Sequence, residues 1–252
     1  MPKSNFRVVP RLDIKSGKLI KGIKLEGLRV VGDPFEAAMR YYKDGADELF
    51  FHDAVASLYN QNHLGDLLEL ITDEVFIPVT VGGGIRSIDD ALYLFNKGAD
   101  KVAINTAFVA RPDFITELSS LFGSQSVVGS IEAKYINDDR WEIVTESGRQ
   151  KTGIELNSWI KTLTDKGVGE IFITSVDREG TRKGLDLKLS KYLHTTRVPM
   201  IYCGGFNNPE NIHDLMAAYE VQGIAIADYL HYERGGIIDI KKWSKENSIN
   251  VR

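Results

Sequence analysis

The 252-residue sequence has a single cysteine and no long apolar segment. One cysteine excludes an internal disulfide and is typical of proteins in a reducing cytosol. No run of about 18 apolar residues occurs, and the first residues lack the apolar core of a secretory signal. We therefore expect a soluble, cytoplasmic protein without a membrane span.

Charge and histidine exclude further classes of partner. The net charge of −4 is mild and argues against nucleic acid or an anionic membrane as the main partner. The five histidines lack the paired spacing of metal ligands: His52, His63, His194, His213 and His231. We expect no metal and no cofactor. The content of 43% hydrophobic and 26% charged residues is ordinary for a globular protein.

The second half of the sequence repeats the first. Residues 77–108 and residues 198–230 each contain an apolar strand that ends in glycines, an amphipathic helix, a turn and a second apolar strand. In the same alignment Asp13 corresponds to Glu132. A repeat at about half the chain length indicates two duplicated half-barrels. It predicts that Asp13 and Glu132 lie on opposite sides of one mouth.

Strand and helix patterns alternate along the whole chain without a linker. Strand-length apolar segments lie at residues 7–12, 48–53, 76–81, 101–105, 126–132, 169–175, 199–203 and 223–228. Helical patterns lie at residues 34–44, 62–73, 87–97, 111–122, 153–166, 187–196, 208–219 and 237–247. Parallel strands need such helical crossovers. The length, the count and the repeat favour a closed (β/α)8 TIM barrel over an open sheet, with residues 1–252 as one domain.

Two longer connections follow the first and fifth strands, at residues 15–29 and 134–152. Both follow the carboxyl ends of strands, where barrel active sites are built. The first has four lysines and one arginine against one glutamate, and we interpret it as a mobile, basic flap. On the second, Trp141 could stack on a substrate ring or pack within a hairpin.

Glycines at strand ends predict two anion sites. The residues are Gly84, Asn105 and Thr106 in the first site and Gly204 and Gly205 in the second. Glycine lets backbone N–H groups approach an anion, and a helix N-terminus adds partial positive charge, although tight turns also need glycine. Together they suggest a small-molecule substrate with an anionic group at each end. Asp228, which follows the eighth strand, would repel a phosphate at the second site.

Carboxylates at strand ends are the candidates for chemistry. Asp13 and Glu132 end the first and fifth strands, and such a pair suits general acid–base catalysis. Asp53 and Asp177 end the second and sixth strands, where they could bind the substrate or only cap neighbouring helices. Arg11 lies on the same face of its strand as Asp13 because side chains alternate along a strand.

Four charged residues occupy the starts of strands: Arg7, Glu48, Lys101 and Glu170. Two cations and two carboxylates could pair in a ring that closes the barrel floor, because buried charges need partners. The alternative is four separate, exposed side chains, and the residues alone favour that alternative.

Several segments resemble the cyclase subunit of imidazole glycerol phosphate synthase over nearly the whole chain. They read LDIKSGKLIKG, DELFFHDA, FIPVTVGGGIRS, GADKVAIN, GEIFITSVDREGT and NSINVR. The resemblance implies a (β/α)8 barrel that receives ammonia from a glutaminase subunit docked at its floor. In histidine biosynthesis the family joins ammonia to a phosphoribulosyl-formimino-carboxamide ribotide. The products are imidazole glycerol phosphate and aminoimidazole carboxamide ribotide.

The resemblance also assigns roles to residues. It implies that Asp13 is the base and that Lys21 is the flap lysine. The first phosphate site matches Gly84, Asn105 and Thr106, and the floor gate for ammonia matches Arg7, Glu48, Lys101 and Glu170. Asp100 matches a contact to the glutaminase. For the four strand-start charges the resemblance therefore favours the ring over separate side chains.

Four positions depart from the family pattern. Glu132 stands where the family's general acid is an aspartate, and Glu179 replaces the second aspartate of a DRDGT loop. Arg11 replaces a cysteine and should lower the pKa of Asp13, and Asp228 stands where the second phosphate site has a serine. Catalytic geometry is sensitive to shifts of about 1 Å, so the longer glutamate is not a neutral change.

These departures favour a diverged paralogue that acts in the biosynthesis of acetamidino sugars of surface polysaccharides. It would work with a glutaminase and a further amidotransferase. One alternative is an ordinary histidine-pathway cyclase that tolerates the changes. An alternative of another class is a barrel that only conducts ammonia and docks partners, without chemistry of its own.

Overall fold

The structure is a computed structural model that describes residues 6–56, 64–190, 192, 196–218 and 221–252. His63, His194 and parts of the helices predicted at residues 62–73, 187–196 and 208–219 lie outside the described residues.

In the described part of the chain, eight parallel strands close into a barrel. They are β1 (Arg7–Lys15), β4 (Leu49–Asp53), β5 (Val79–Gly82), β6 (Lys101–Ile104), β7 (Val127–Asn137), β10 (Glu170–Ser175), β11 (Met200–Cys203) and β12 (Gly223–Ile226). Each strand pairs with the next, β7 pairs with β10, and β12 pairs back with β1. The closed barrel confirms the predicted (β/α)8 fold.

The two long connections are β-hairpins that extend β1 and β7 beyond the barrel rim. The first consists of β2 (Lys18–Ile23) and β3 (Glu26–Gly32), and the second of β8 (Arg140–Thr145) and β9 (Gln150–Glu155). Trp141 is 1% exposed and packs edge-on against Tyr135 and Tyr192. Trp141 therefore packs within its hairpin, and the suggestion that it stacks on a substrate is wrong.

Helices cover the outside of the barrel between the strands. They are α1 (Pro34–Lys43), α2 (Gly65–Thr72), α3 (Ile88–Asn96), α4 (Thr106–Ala110), α5 (Asp113–Phe122), α6 (Leu156–Lys166), α7 (Leu187–Ser190), α8 (Glu210–Ala218), α9 (Asp228–His231) and α10 (Ile237–Glu246). Ser87 begins α3 with a capping box to Asp90, as its sequence indicates. The short helices α4 and α9 follow β6 and β12 directly and were not expected from the sequence.

The barrel interior is layered along its axis. Because side chains alternate, β1 directs Arg7, Val9, Arg11 and Asp13 inward at successive levels from floor to mouth. The apolar level is a cluster of its own, made of Val9, Phe50, Ala103, Val128, Phe172, Ile201, Cys203 and Ala225. A larger cluster fills the space between strands and helices. One apolar layer thus separates a charged floor from a charged mouth.

None of the helices in the described ranges is long and apolar enough to cross a membrane.

Candidate active site

Asp13 and Glu132 lie on opposite sides of the barrel mouth. They stand on β1 and β7, which are four strands apart in the closed order of eight, and each residue is 6% exposed. Both line one cavity, together with Arg11, Lys21 and His52. The structure therefore brings the two predicted acid–base residues to a common space.

Arg11 is a buried cation beside Asp13. Its Nε donates to Oδ1 of Asp13 at 2.9 Å, and its Nη1 donates to Oγ1 of Thr174 at 3.0 Å. The guanidinium carbon lies 5.9 Å from the ring centres of both Phe50 and Phe172, which stack on each other at 4.2 Å. Arg11 is thus held from below by aromatic faces and from above by a carboxylate.

The two carboxyl groups are shifted in opposite directions. Burial raises the pKa of Asp13 more than any single neighbour lowers it, but Arg11, His52 and Lys21 together outweigh burial and hold that pKa well below its usual range. The Nδ1 atom of His52 lies 3.3 Å from Asp13. Burial raises the pKa of Glu132 in spite of nearby positive charge and a hydrogen bond from the Gly148 N–H. Opposite shifts suit a proton acceptor facing a proton donor.

Lys21 of the first hairpin is paired with Glu179, which follows β10. The side chains are 3% and 4% exposed, and the Lys24 N–H donates to the Glu179 carbonyl at 2.8 Å. Burial lowers the pKa of Lys21, but Glu179 and Asp13 raise it and prevail. These two contacts hold the first hairpin and the loop after β10 together over the mouth, and we call them the clasp. The one sign of this contact in the sequence is Glu179, which is longer than the aspartate of the family loop.

The residues predicted to form the first anion site line a cavity between β4, β5 and β6. It contains Gly84, Asn105 and Thr106 and reaches Asp53 and Glu132. The neighbouring Gly83 has a φ of 95°, and a Cβ there would lie 2.3 Å from the Asp53 carbonyl oxygen. Only glycine fits this turn, and Gly84 also has positive φ. Thr106 accepts the Glu146 N–H and Asn105 donates to the Val144 carbonyl, so both tie the site to the second hairpin.

Asp53 and Asp177 hold loops. Oδ1 of Asp53 accepts the N–H groups of Val55 and Ala56 at 3.1 and 2.9 Å, which is the capping alternative. Oδ2 of Asp177 accepts the Tyr135 N–H at 2.7 Å and ties the loop after β10 to the β7 extension. Asp53 also lines the first anion cavity. Substrate contact by either residue stays a prediction.

The residues predicted to form the second anion site line a cavity between β10, β11 and β12. Gly204 and Gly205 line it with Asp228, and a Cβ on Gly205 would lie 2.2 Å from the Gly184 carbonyl oxygen. Asp228 is paired with Arg182 and Arg234. Two guanidinium groups thus face one carboxylate. The carboxylate that was expected to repel a phosphate therefore has its negative charge balanced by two cations.

The four strand-start charges form a ring across the floor. Arg7 contacts Glu48 at 2.8 Å and also pairs with Glu170, while Lys101 contacts the same two glutamates at 2.9 and 2.8 Å. The glutamates are 2% and 5% exposed, so the side chains form the ring that the resemblance favoured, and the alternative of four separate, exposed side chains is wrong. Asp100 lies exposed at the same end, where its Oδ2 accepts the Val79 N–H.

The described residues contain no group of three or more His, Cys, Asp or Glu side chains placed to hold a metal ion. Cys203 is buried in the apolar layer, and burial raises the pKa of its thiol to about 12, so it is a structural residue rather than a nucleophile.

The described residues thus form a closed (β/α)8 barrel with a ring of paired charges at its floor and two carboxyl groups with oppositely shifted pKa values at its mouth. A model of the family described as histidine biosynthesis protein matches residues 7–235. The chain is 52% identical to the imidazole glycerol phosphate synthase subunit HisF of Legionella pneumophila over 211 residues, which are 83% of this chain and 100% of that protein. It is 41% identical to the protein of the same name from Streptococcus mutans serotype c over 247 residues, 98% of each chain. The chain therefore belongs to the HisF-type cyclase family of histidine biosynthesis proteins.

Replacing Arg11 by Met should leave the buried Asp13 carboxylate without its main ion-pair partner. The free energy of unfolding should fall by about 3 kcal/mol at pH 7. Without Arg11, burial acts on Asp13 against less positive charge, so the pKa of Asp13 rises from its depressed wild-type value. Wild-type Asp13 keeps its charge at pH 4, so the deficit should persist there and should shrink only toward about pH 2, where Asp13 of the variant is protonated. Urea denaturation at pH 7 and at about pH 2 measures the deficit. The exposed Arg40→Met is the control and should change stability by less than about 0.5 kcal/mol. An equal deficit at both pH values would contradict the pairing.

Replacing Glu179 by Gln should release the hairpin, because Lys21 loses its buried counter-charge. We expect amide hydrogens of residues 18–32 to exchange at least about tenfold faster, since breaking a buried pair costs several kcal/mol. Hydrogen exchange read by mass spectrometry measures this, and Lys24→Met, an exposed position on the same hairpin, is the matched control. Identical exchange in Glu179→Gln and the wild type would refute the clasp.

Proposed function

We propose that the chain is the cyclase subunit of an imidazole glycerol phosphate synthase. It takes ammonia from a glutaminase subunit, with which it forms a heterodimer, and joins it to the ribotide to make imidazole glycerol phosphate and aminoimidazole carboxamide ribotide. The observation that carries this proposal is one barrel with a closed charged ring at its floor and Asp13 and Glu132 facing each other at its mouth. The names of the two relatives support the histidine-pathway alternative over the diverged role that the sequence departures favoured.

Asp13 and Glu132 would divide the proton transfers between them. An ammonia nucleophile must lose a proton as its C–N bond forms, and a leaving group must gain one. Asp13, held ionised by Arg11, would accept the proton. Glu132, whose pKa is raised by burial, would donate the other. The low pKa makes Asp13 a weak base, so its placement matters more than its basicity.

The substrate would span the mouth between the two anion sites. One anionic end would lie at Gly84, Asn105 and Thr106, and the other at Gly204 and Gly205. Asp53 and Asp177 would support the loops beside these ends. Lys21 would have to release Glu179 before it contacts the substrate, so substrate entry and the clasp compete for one ammonium group.

Ammonia would enter at the floor ring of Arg7, Glu48, Lys101 and Glu170 and cross the apolar layer. Neutral ammonia passes such a layer more easily than the ammonium ion, because an unpaired charge there is costly. A recess outside the ring, lined by Arg7, Lys101 and Glu170 among others, is open for the glutaminase. Asp100 would contact that subunit.

A second candidate is an ammonia-dependent synthase with another acceptor, as in acetamidino-sugar biosynthesis with a further amidotransferase. The Arg11–Asp13 pair favours it, because it weakens the base that the family chemistry uses. A barrel that only conducts ammonia would keep the floor ring and glutaminase stimulation without turnover of its own.

Turnover of the ribotide with ammonium salt tests the proposal directly. We expect wild-type turnover and a fall of at least about 100-fold in Asp13→Asn and Glu132→Gln, because each loses a proton-transfer group. Absorbance or chromatography of the two products measures it. Asp165→Asn, an exposed aspartate on α6, is the control and should keep full activity. Wild-type protein without turnover that still stimulates the glutaminase would refute the histidine-pathway role and favour the other two candidates.

The double variant Arg7→Met/Lys101→Met tests the floor ring. Ammonium-supported turnover should stay unchanged, because external ammonium reaches the mouth without the floor. Glutamine-supported turnover should change, because both cations of the ring are gone. The ratio of the two rates is the measurement, and Lys161→Met on the surface of α6 is the control. An unchanged ratio would refute the gate.

A further inference from the structure

Three charged side chains form a cluster at the second anion site. Arg182 grips the Asp228 carboxylate with two N–H groups, from Nε to Oδ1 at 2.8 Å and from Nη2 to Oδ2 at 3.1 Å. Arg234 donates to Oδ1 from the other side. The two-point contact of a guanidinium with a carboxylate fixes its plane as well as its position. The cluster carries one net positive charge.

The two arginines differ in their access to the cavity. Arg182 and Asp228 line it with Gly204 and Gly205, whereas Arg234 contacts Asp228 from behind. The Arg182 side chain is 46% exposed. A guanidinium has five N–H donors, and Asp228 is the acceptor for Arg182 among the described residues. Arg182 therefore has donors left for a ligand in the cavity.

Arg182 has an unusual backbone conformation and a side chain that is fixed on two sides. Its φ is 60°, in the left-handed region that residues other than glycine rarely adopt. Its guanidinium carbon lies 5.0 Å from the ring centre of Tyr232. A carboxylate on one side and an aromatic face on the other thus fix a long side chain that would otherwise rotate freely.

We propose that Arg182 is the residue that binds the phosphate monoester end of the substrate at the second site. Asp228, with its own charge balanced by Arg234, acts as a positioning residue for that guanidinium. Asp228 occupies one N–H each of Nε and Nη2, so the second edge of the guanidinium, formed by Nη1 and the remaining N–H of Nη2, would bind the phosphate oxygens. The N–H groups of the glycine turn provide the opposite wall. The inference rests on the proposed function, because it names the group that receives the second anionic end of that substrate.

Titration with inorganic phosphate, followed by NMR, tests the inference without turnover. The amides of Gly204 and Gly205 report the second site, and those of Gly84 and Thr106 report the first. Arg182→Met should raise the dissociation constant at the second site at least about tenfold, since a hydrogen bond to a charged group contributes about 1.5–3 kcal/mol. The first site should change less than twofold, by about 0.4 kcal/mol at most. Arg182→Lys, a point charge without the fork, should give an intermediate value.

Asp228→Asn separates positioning from repulsion. If Asp228 positions Arg182, this variant weakens phosphate binding in the wild type and has no further effect in Arg182→Met. If Asp228 only repels the anion, Asp228→Asn tightens binding, and the positioning role is overturned. Arg40→Met is the control, because Arg40 is 42% exposed and also pairs with a carboxylate.

Unchanged second-site binding in Arg182→Met would overturn the proposal even if the ribotide is turned over. If Arg182→Met weakens phosphate binding but the wild-type protein does not turn over the ribotide, the phosphate-binding role of Arg182 stands. Only the ribotide would then be wrong as the substrate. The two failures are thus distinguishable.

Discussion

The ion pair of Arg11 and Asp13 is the interaction on which the chemistry of the mouth depends. Removing both charges from water is costly, and their attraction offsets that cost only where geometry and further hydrogen bonds are good. Thr174, Phe50 and Phe172 supply those further contacts to Arg11. The pair keeps Asp13 ionised, and across the cavity Glu132 is left with burial as the main influence on its pKa. One buried cation thus separates the roles of two equivalent positions in a duplicated sequence.

The same constraint explains the layered interior. The ring charges at the floor and Arg11, Asp13 and Lys21 at the mouth are tolerated because each has an oppositely charged partner, and the apolar layer between them contains no charged side chain. This arrangement suits the proposed passage of a small neutral molecule and disfavours an ion. The two hairpins extend the mouth beyond the barrel, so the site is enclosed without an additional domain.

Three of the four departures from the family pattern are accompanied by an oppositely charged partner in the structure. Arg11 pairs with Asp13, and Glu179 pairs with Lys21. Asp228, which looked repulsive in the sequence, is balanced by two arginines. These substituted residues therefore form ion pairs in the folded protein. Such compensation is expected of a functional site and not of a site that has lost its function.

The sequence by itself determined the barrel, the repeat that places Asp13 opposite Glu132, and the glycine turns of both anion sites. These features depend on local periodicity and on short turns, which neighbouring residues decide. The tertiary structure alone decided which charges meet. Arg182 and Asp228 are 46 residues apart, and Lys21 and Glu179 are 158 apart, so no local pattern records their contact. Whether a buried charge is balanced depends on closure of the barrel, because closure brings distant strand ends to one rim and removes the water that would otherwise screen them.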